Sequence, residues 1–525
     1  MGKPIKSIVV VGGGTAGWIA AAYLNRAFGR LVDVTLIESE RVGRIGVGEA
    51  TVPTLKATLN FLGVDEADWM PRCNATFKSA IKFAGWRKPP PGRREHEYYH
   101  PFWWPNDPLA MPLDKSHSIY PQGFLVIQYW IKRWLAGERV AVGTLTSQLQ
   151  RLCELDKAPK PLPGSGITDP GFRYAYHLDA MLFADYLRDL AVGRGVRHLR
   201  LDVVSATFDE RGHITKLLTE QGVEVEGELF VDCTGFRGLL INKLLKEPFV
   251  SQNNYLLCDS AVALPAEHAP GKRLHPYTTA RAMPNGWIWD IPLFHRHGTG
   301  YVYNSQICSA TEAERTLRGY LGGRCREDTA ANHIKMRVGY NQRSWVHNCV
   351  AIGLSSCFVE PLESTTIFLI EFELSALLTH FPDTDFDEPG RRQYNSSVLD
   401  IFREVRDFIV MHYCLSDRDD SDFWRQVRAD ALIPESLRAT LDHYADGFIS
   451  SEGGPLGVFG LPSFMFVLSG MEFPFRRYAP IVDLVGEPQI AAALASQARK
   501  LDVLGEVMPD HLDYLKSLHQ GAASP

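Results

Sequence analysis

The sequence predicts an α/β fold built on a parallel, Rossmann-type sheet, with a mostly helical C-terminal part. Three observations carry this. A β-branched run, Ile8-Val9-Val10-Val11, leads into a glycine-rich turn and then an Ala- and Leu-rich stretch from Trp18 to Phe28. Short apolar runs of strand length recur far apart, at 34–37, 229–231 and 349–352, as expected for parallel strands buried on both faces. From about residue 390 the pattern changes to charged amphipathic stretches such as 401–413, which read as helices.

The first 50 residues give the clearest unit: strand, turn, helix and a second strand ending in Glu38. Residues 180–191 read as a helix with Asp179 as its N-cap. Val203-Val204 is strand-like, and a helix is expected over 366–380. Pro- and Gly-rich stretches at 89–92, 160–170 and 452–455 mark loops. Strands of one sheet lie so far apart in the chain that one interleaved domain is expected over 1–390, with substrate-side insertions at about 77–175 and 250–340. Residues 391–525 form a helical cap.

At 525 residues with 45% hydrophobic and 22% charged residues, the chain can bury a large core, which excludes a mainly disordered state. Lys and Arg number 55 against 61 Asp and Glu, a net charge of −6. That excludes a partner held by bulk positive charge, whether nucleic acid or an anionic membrane. Nine scattered cysteines without a CxxC pair argue against a disulfide framework or a structural zinc site. No apolar run of about 18 residues and no signal-like start is found, so a cytoplasmic protein is expected.

Gly12, Gly14 and Gly17 occupy the G-x-G-x-x-G positions. The first permits the tight turn, the second lets backbone approach a pyrophosphate, and the third lets helix pack on strand. Thr15 and Ala16, within this turn, are expected at the cofactor too, ahead of the helix whose N-terminus faces the anion. Glu38, 21 residues past Gly17, stands where a carboxylate accepts from ribose hydroxyls. A dinucleotide site follows. Asp232-Cys233-Thr234-Gly235, after its strand, resembles the second glycine-bearing strand of FAD monooxygenase-type folds. That superfamily usually has Gly-Asp at a later strand end, contacting the ribityl chain. Gly353-Leu354-Ser355-Ser356 stands there instead, which speaks against an ordinary flavin-dependent aromatic monooxygenase.

Several strings together resemble the flavin-dependent tryptophan halogenases: 12–18 (GGGTAGW), 45–51 (IGVGEAT), 77–83 (FKSAIKF), 287–292 (WIWDIP) and 353–365 (GLSSCFVEPLEST). They occur in order over about four-fifths of the chain. The resemblance implies an FAD-dependent monooxygenase-like fold with an inserted substrate-side sheet. It also implies reduced FAD from a separate flavin reductase, and hypohalous acid made from O2 and chloride or bromide. The acid then passes to an electron-rich aromatic. A homodimer is among the assemblies it allows.

Residues 77–83 read as a strand, on which Lys78 and Lys82, four apart, point to one face, so spacing does not choose between them. The resemblance chooses Lys78, an amine that hydrogen-bonds hypohalous acid or forms a haloamine with it. Glu363 matches the family's catalytic glutamate, which stabilises the cationic ring and takes its proton. The amides of Thr365 and Thr366 at a helix start form the expected halide nest. Thr366 replaces the family's usual glycine and leaves the halide preference open. Gly48 and Ala50 belong to the strap expected over FAD, with Gly46 and Gly48 supplying flexibility, and Gly353 is expected at the cofactor. Trp287 and Trp289 share one face of a strand, beside the flavin in the family.

His100 and Phe102 match rings that sandwich indole. Residues 445–459 (ADGFISSEGGPLGVF) lack the paired tyrosines and the tryptophan by which the tryptophan enzymes hold the amino-acid end of their substrate. Glu452 is the candidate for the surviving glutamate there, and Phe459 for one wall. An indole or an indole-bearing compound is therefore expected over free tryptophan.

Overall fold

The computed structural model describes residues 2–43, 46–102, 124–271, 273–429, 432–447, 458–484 and 487–522. A six-stranded sheet runs in the order Trp345–Val346, Cys349–Ala351, Leu229–Asp232, Ser7–Val11, Asp33–Glu38, Arg197–Arg200. All neighbours are parallel except the first pair. Helix Thr15–Phe28 crosses from strand Ser7–Val11 to strand Asp33–Glu38, and its buried Trp18, Ile19, Ala20 and Leu24 lie in the same apolar cluster as these strands. Ala180–Gly193 packs beside it, its start capped by Asp179, which accepts from the amides of Met181 and Leu182.

Val203–Phe208 does not join this sheet. It forms a separate antiparallel three-stranded sheet with Ile214–Thr219 and Glu224–Glu226. A seven-stranded sheet is built wholly from segments within the two expected insertions. Its order is Asn332–Lys335, Ser260–Ala266, His297–Tyr303, Gly286–Pro292, Tyr277–Met283, Ala80–Ala84, Glu97–Pro101. Another three-stranded sheet joins Gly48–Ala50, Ala175–Asp179 and Thr76–Lys78.

Helices dominate from Glu388 onward. Glu388–Cys414 is the longest, at 27 residues, and its buried stripe Ile401, Phe402, Val405, Phe408 and Ile409 follows the helical period. One hydrophobic cluster takes in this stripe, the inner face of the seven-stranded sheet (Phe83, Trp287, Trp289) and helix Leu461–Gly470. Residues on both sides of position 390 thus share a core. Among the described residues no helix is long and apolar enough to cross a membrane.

Candidate active site

The glycine-rich turn closes on itself. Gly12 has φ +122°, and a Cβ there would sit 2.2 Å from the Cys233 carbonyl oxygen. A Cβ on Gly17 would sit 1.8 Å from the Gly12 oxygen. At Gly14 a Cβ would meet nothing within 4 Å, because it faces a cavity of about 670 Å³.

This cavity runs from Gly12, Gly14, Thr15 and Ala16 past Glu38, Gly48 and Ala50 to Trp287 and Trp289. It ends at Pro361, Leu362, Ser364 and Thr366. Glu38 is held by His198 Nε2 at 3.0 Å. The donor set fits FAD. A helix start and an open glycine suit a pyrophosphate, a carboxylate at the strand end suits ribose, and two indoles wall the far end.

Two of the expected cofactor residues do not line the cavity. Gly17 is taken up by its contact with Gly12. Gly353, at φ +71°, faces Ala16 and Ile370, and its N–H donates to Glu373 Oε2 at 2.7 Å. Both glycines serve backbone packing. Gly48 lines the cavity as well as packing closely, since its Cβ would lie 3.1 Å from Gly298 Cα on a neighbouring strand. Ile45 of the strap lies outside the described residues.

The run 77–83 is not one strand. Thr76–Lys78 and Ala80–Ala84 belong to different sheets, and Ser79 between them donates to the Pro276 carbonyl and accepts from the Phe102 amide. The break separates the two lysines. Lys82 reaches a partly exposed pair with Glu97 at 2.8 Å. Lys78 is completely buried, donates to the Thr51 carbonyl at 2.8 Å, and lies 5.2 Å from the Phe102 ring centroid. Burial pushes its amine down to about 7, and the nearby Glu363 carboxylate pulls only partly the other way.

Glu363 sits on the 3₁₀ turn Pro361–Glu363, which ends at Ser364 in the left-handed region, φ +60°. Pro361, Leu362, Ser364 and Thr366 face the cavity, whereas Glu363 turns away from it into the core. Its Oε2 is 2.9 Å from His100 Nδ1 and its Oε1 is 2.9 Å from His412 Nε2. Burial alone would raise this carboxyl, but the two imidazoles outweigh burial and hold it down at about 2. The turn is therefore a thin wall with the dinucleotide cavity on one side and the Lys78–Glu363 pair on the other.

Helix Thr366–Thr379 begins directly after this turn, and its first amides have no partner within the helix. Thr366 lines the cavity. Thr365 is buried, and its Oγ1 has no hydrogen-bond partner among the described residues. An orphaned hydroxyl beside free amides is a donor set that fits a halide.

His100 and Phe102 come off the edge strand Glu97–Pro101, one beside Glu363 and the other beside Lys78. Phe459 stacks on Phe408 at 3.8 Å and 8°, and its centroid is 6.3 Å from that of His100. Trp103, Trp104 and Glu452 lie outside the described residues.

Sequence reasoning missed His412, which looks like one more core residue in the apolar run Phe408 to Cys414. It also missed Glu49 on the cavity wall and the Thr51 carbonyl that takes the lysine. A lone histidine amid apolar neighbours carries no signal until its partner is known.

A dinucleotide cavity backed by a buried lysine and an ionised glutamate across one turn belongs to a flavin-dependent halogenase, an oxidoreductase that works with reduced FAD. The chain belongs to the tryptophan halogenase family, whose model matches residues 7–487. It is 38% identical to the tryptophan 6-halogenase SttH of Streptomyces toxytricini, over 98% of each chain. It is 40% identical to the 7-chloro-L-tryptophan 6-halogenase KtzR of Kutzneria sp. (strain 744), over 97% of this chain and 98% of that one. Among solved structures, the flavin-dependent halogenase BrvH from Brevundimonas sp. BAL3 superposes with a TM-score of 0.87 at 34% identity. That match covers 98% of this chain and 99% of that one.

Proposed function

We propose that this enzyme halogenates an indole-type aromatic, free indole or an indole derivative in preference to tryptophan, with FADH2 delivered by a separate reductase. The observation that carries the reading is the wall formed by Pro361 to Ser364, with cavity residues on one face and Glu363 on the other. Bound reduced FAD, with O2 and halide, supplies hypohalous acid. The donor set at Thr365 and Thr366 suits the halide.

Beyond the wall, Lys78 holds the acid by hydrogen bonding. As the halogen bonds to the ring carbon, the O–X bond breaks and the ammonium of Lys78 protonates the departing hydroxide to water. Glu363 stabilises the cationic ring and takes the proton from the substituted carbon. Proton exchange between the two residues and solvent resets the site. The rings of His100 and Phe102 orient the substrate by stacking.

The preference over tryptophan is supported by the composition of 445–459 and by Phe459, whose ring is engaged by Phe408. Free tryptophan is the second reading, favoured by relatives whose names specify it. Mass spectrometry after incubation with FAD, NADH, a generic flavin reductase and either chloride or bromide separates the two. A halogen isotope pattern on indole exceeding that on tryptophan is expected, and it should be absent with Lys78→Ala. The reverse preference would select tryptophan. Hydroxylated product independent of halide would overturn the halogenase mechanism.

A further inference from the structure

His412 lies outside every motif that the sequence brings forward, yet it is fully buried against Glu363. It stands near the end of helix Glu388–Cys414, and its Nδ1 is 2.9 Å from the Phe408 carbonyl oxygen. A carbonyl accepts only, so Nδ1 carries a hydrogen. The other nitrogen, Nε2, is 2.9 Å from Glu363 Oε1. The contact is bent from a straight hydrogen bond, but neither atom has another hydrogen-bond partner among the described residues. Two such acceptors at that distance, away from water, repel unless a proton lies between them.

We propose that His412 is a positioning residue for Glu363. As a doubly protonated imidazolium, it pairs with Oε1 and fixes the carboxylate in its ionised form facing the substrate side. The proposal rests on the role of Glu363 as proton acceptor.

The surroundings leave few other charges to share this work. Strand Ala80–Ala84 and the residues after it present Phe83 and Trp86, which do not ionise, at 4.7 and 6.1 Å between ring centroids. Strand Glu97–Pro101 presents His100 on Oε2 and Tyr98, which stacks on Phe83 and feels the charge of Glu363. Lys78 acts on Glu363 from strand Thr76–Lys78. On the helix itself the next residue, Tyr413, faces Glu360 and Cys258.

Burial pushes Glu360 up to about 7, whereas Glu363, three residues on, is held down at about 2. The two carboxyls of one turn differ in their partners. Glu360 meets a phenol, a thiol and an indole, while Glu363 meets two imidazoles. Consecutive residues of one helix, His412 and Tyr413, thus attend to two glutamates of opposite character.

Two measurements test this. With selective ¹⁵N-histidine labelling, His412→Gln assigns the resonances of His412. Both ring nitrogens should be protonated in the wild-type enzyme at pH 7, and Nδ1 alone in Glu363→Gln. A singly protonated His412 in the wild type would overturn the proposal, whether or not any substrate is turned over.

The second is the pH dependence of indole and L-tryptophan bromination. His412→Gln keeps an amide donor near the Nε2 position without the charge, and His412→Leu keeps neither. Loss of the charge should shift the acid limb upward in both, with roughly a tenfold loss at pH 6 in His412→Leu and partial recovery in His412→Gln. FAD affinity should be unchanged. Profiles of the folded His412→Gln enzyme superposing on the wild type would overturn the proposal. Glu363→Gln brominating at the wild-type rate would overturn the role of Glu363 itself, an outcome independent of the histidine spectra.

Discussion

His100 and Glu363 are 263 residues apart in the chain, and Nδ1 of one meets Oε2 of the other at 2.9 Å. The contact adds a second duty to the proposed aromatic wall for substrate, that of a polar partner for the carboxylate. His100→Phe keeps the first and removes the second. Without this partner the carboxyl moves up from about 2, since burial is then less opposed. A carboxylate is active above its pKa, so the variant should lose rate at pH 5 relative to pH 8 by roughly fivefold more than wild type does. Steady-state halogenation across that range measures it.

Lys78 is held at about 7 by burial, against an ordinary value of 10.5. If its ammonium protonates the departing hydroxide, the rate should fall as pH rises through about 7. A rate that rises over the same interval would point to the neutral amine and a haloamine route.

The same burial has a consequence for stability. Between about pH 7 and 10.5 the unfolded chain binds a proton here that the folded chain does not. The penalty is full below pH 7 and is relieved as pH rises toward 10.5. Lys78→Met should therefore abolish product, retain FAD binding and raise stability at pH 7 by about 1–3 kcal/mol. The gap to wild type should narrow at alkaline pH in thermal melts.

Gly14 and Gly17 should respond differently to alanine. Gly14 has φ −81° and open space at its Cβ, so Gly14→Ala should leave the melting temperature of the FAD-free protein within about 1 °C. It should nevertheless weaken FAD by roughly tenfold or more, because the methyl projects into the cradle. Gly17→Ala drives a methyl into the Gly12 oxygen and should destabilise the FAD-free protein itself. Flavin fluorescence titration paired with thermal melts separates the two effects.

Phe459 is engaged in a parallel stack with Phe408. Phe459→Ala should cost about 3–4 kcal/mol of stability, as for a buried phenylalanine whose cavity does not refill. If its ring also contacts substrate, KM should rise with kcat little changed. Denaturant unfolding and steady-state kinetics on the same preparation report both.

The local chemistry was legible in the sequence because it depends on short-range geometry. The turn at Gly12 to Gly17, the acid at Glu38, the cap at Asp179 and the alternation of Trp287 with Trp289 each lie within one strand–turn–helix unit or one strand. Backbone sterics and side-chain period decide them there. Lys78 and Glu363 were singled out by resemblance, since a lysine on a strand and a glutamate at a helix start are ordinary in themselves.

Tertiary structure decided what these groups become. It broke 77–83 at Ser79, which sent Lys82 toward solvent and Lys78 into the core. It also seated Gly353 against Ala16 and Ile370, away from the cavity, and brought His412 against Glu363. A side chain's charge state depends on its desolvation and on which partners reach it, and for Lys78 and Glu363 those partners come from distant strands and helices. No window of the sequence contains them together.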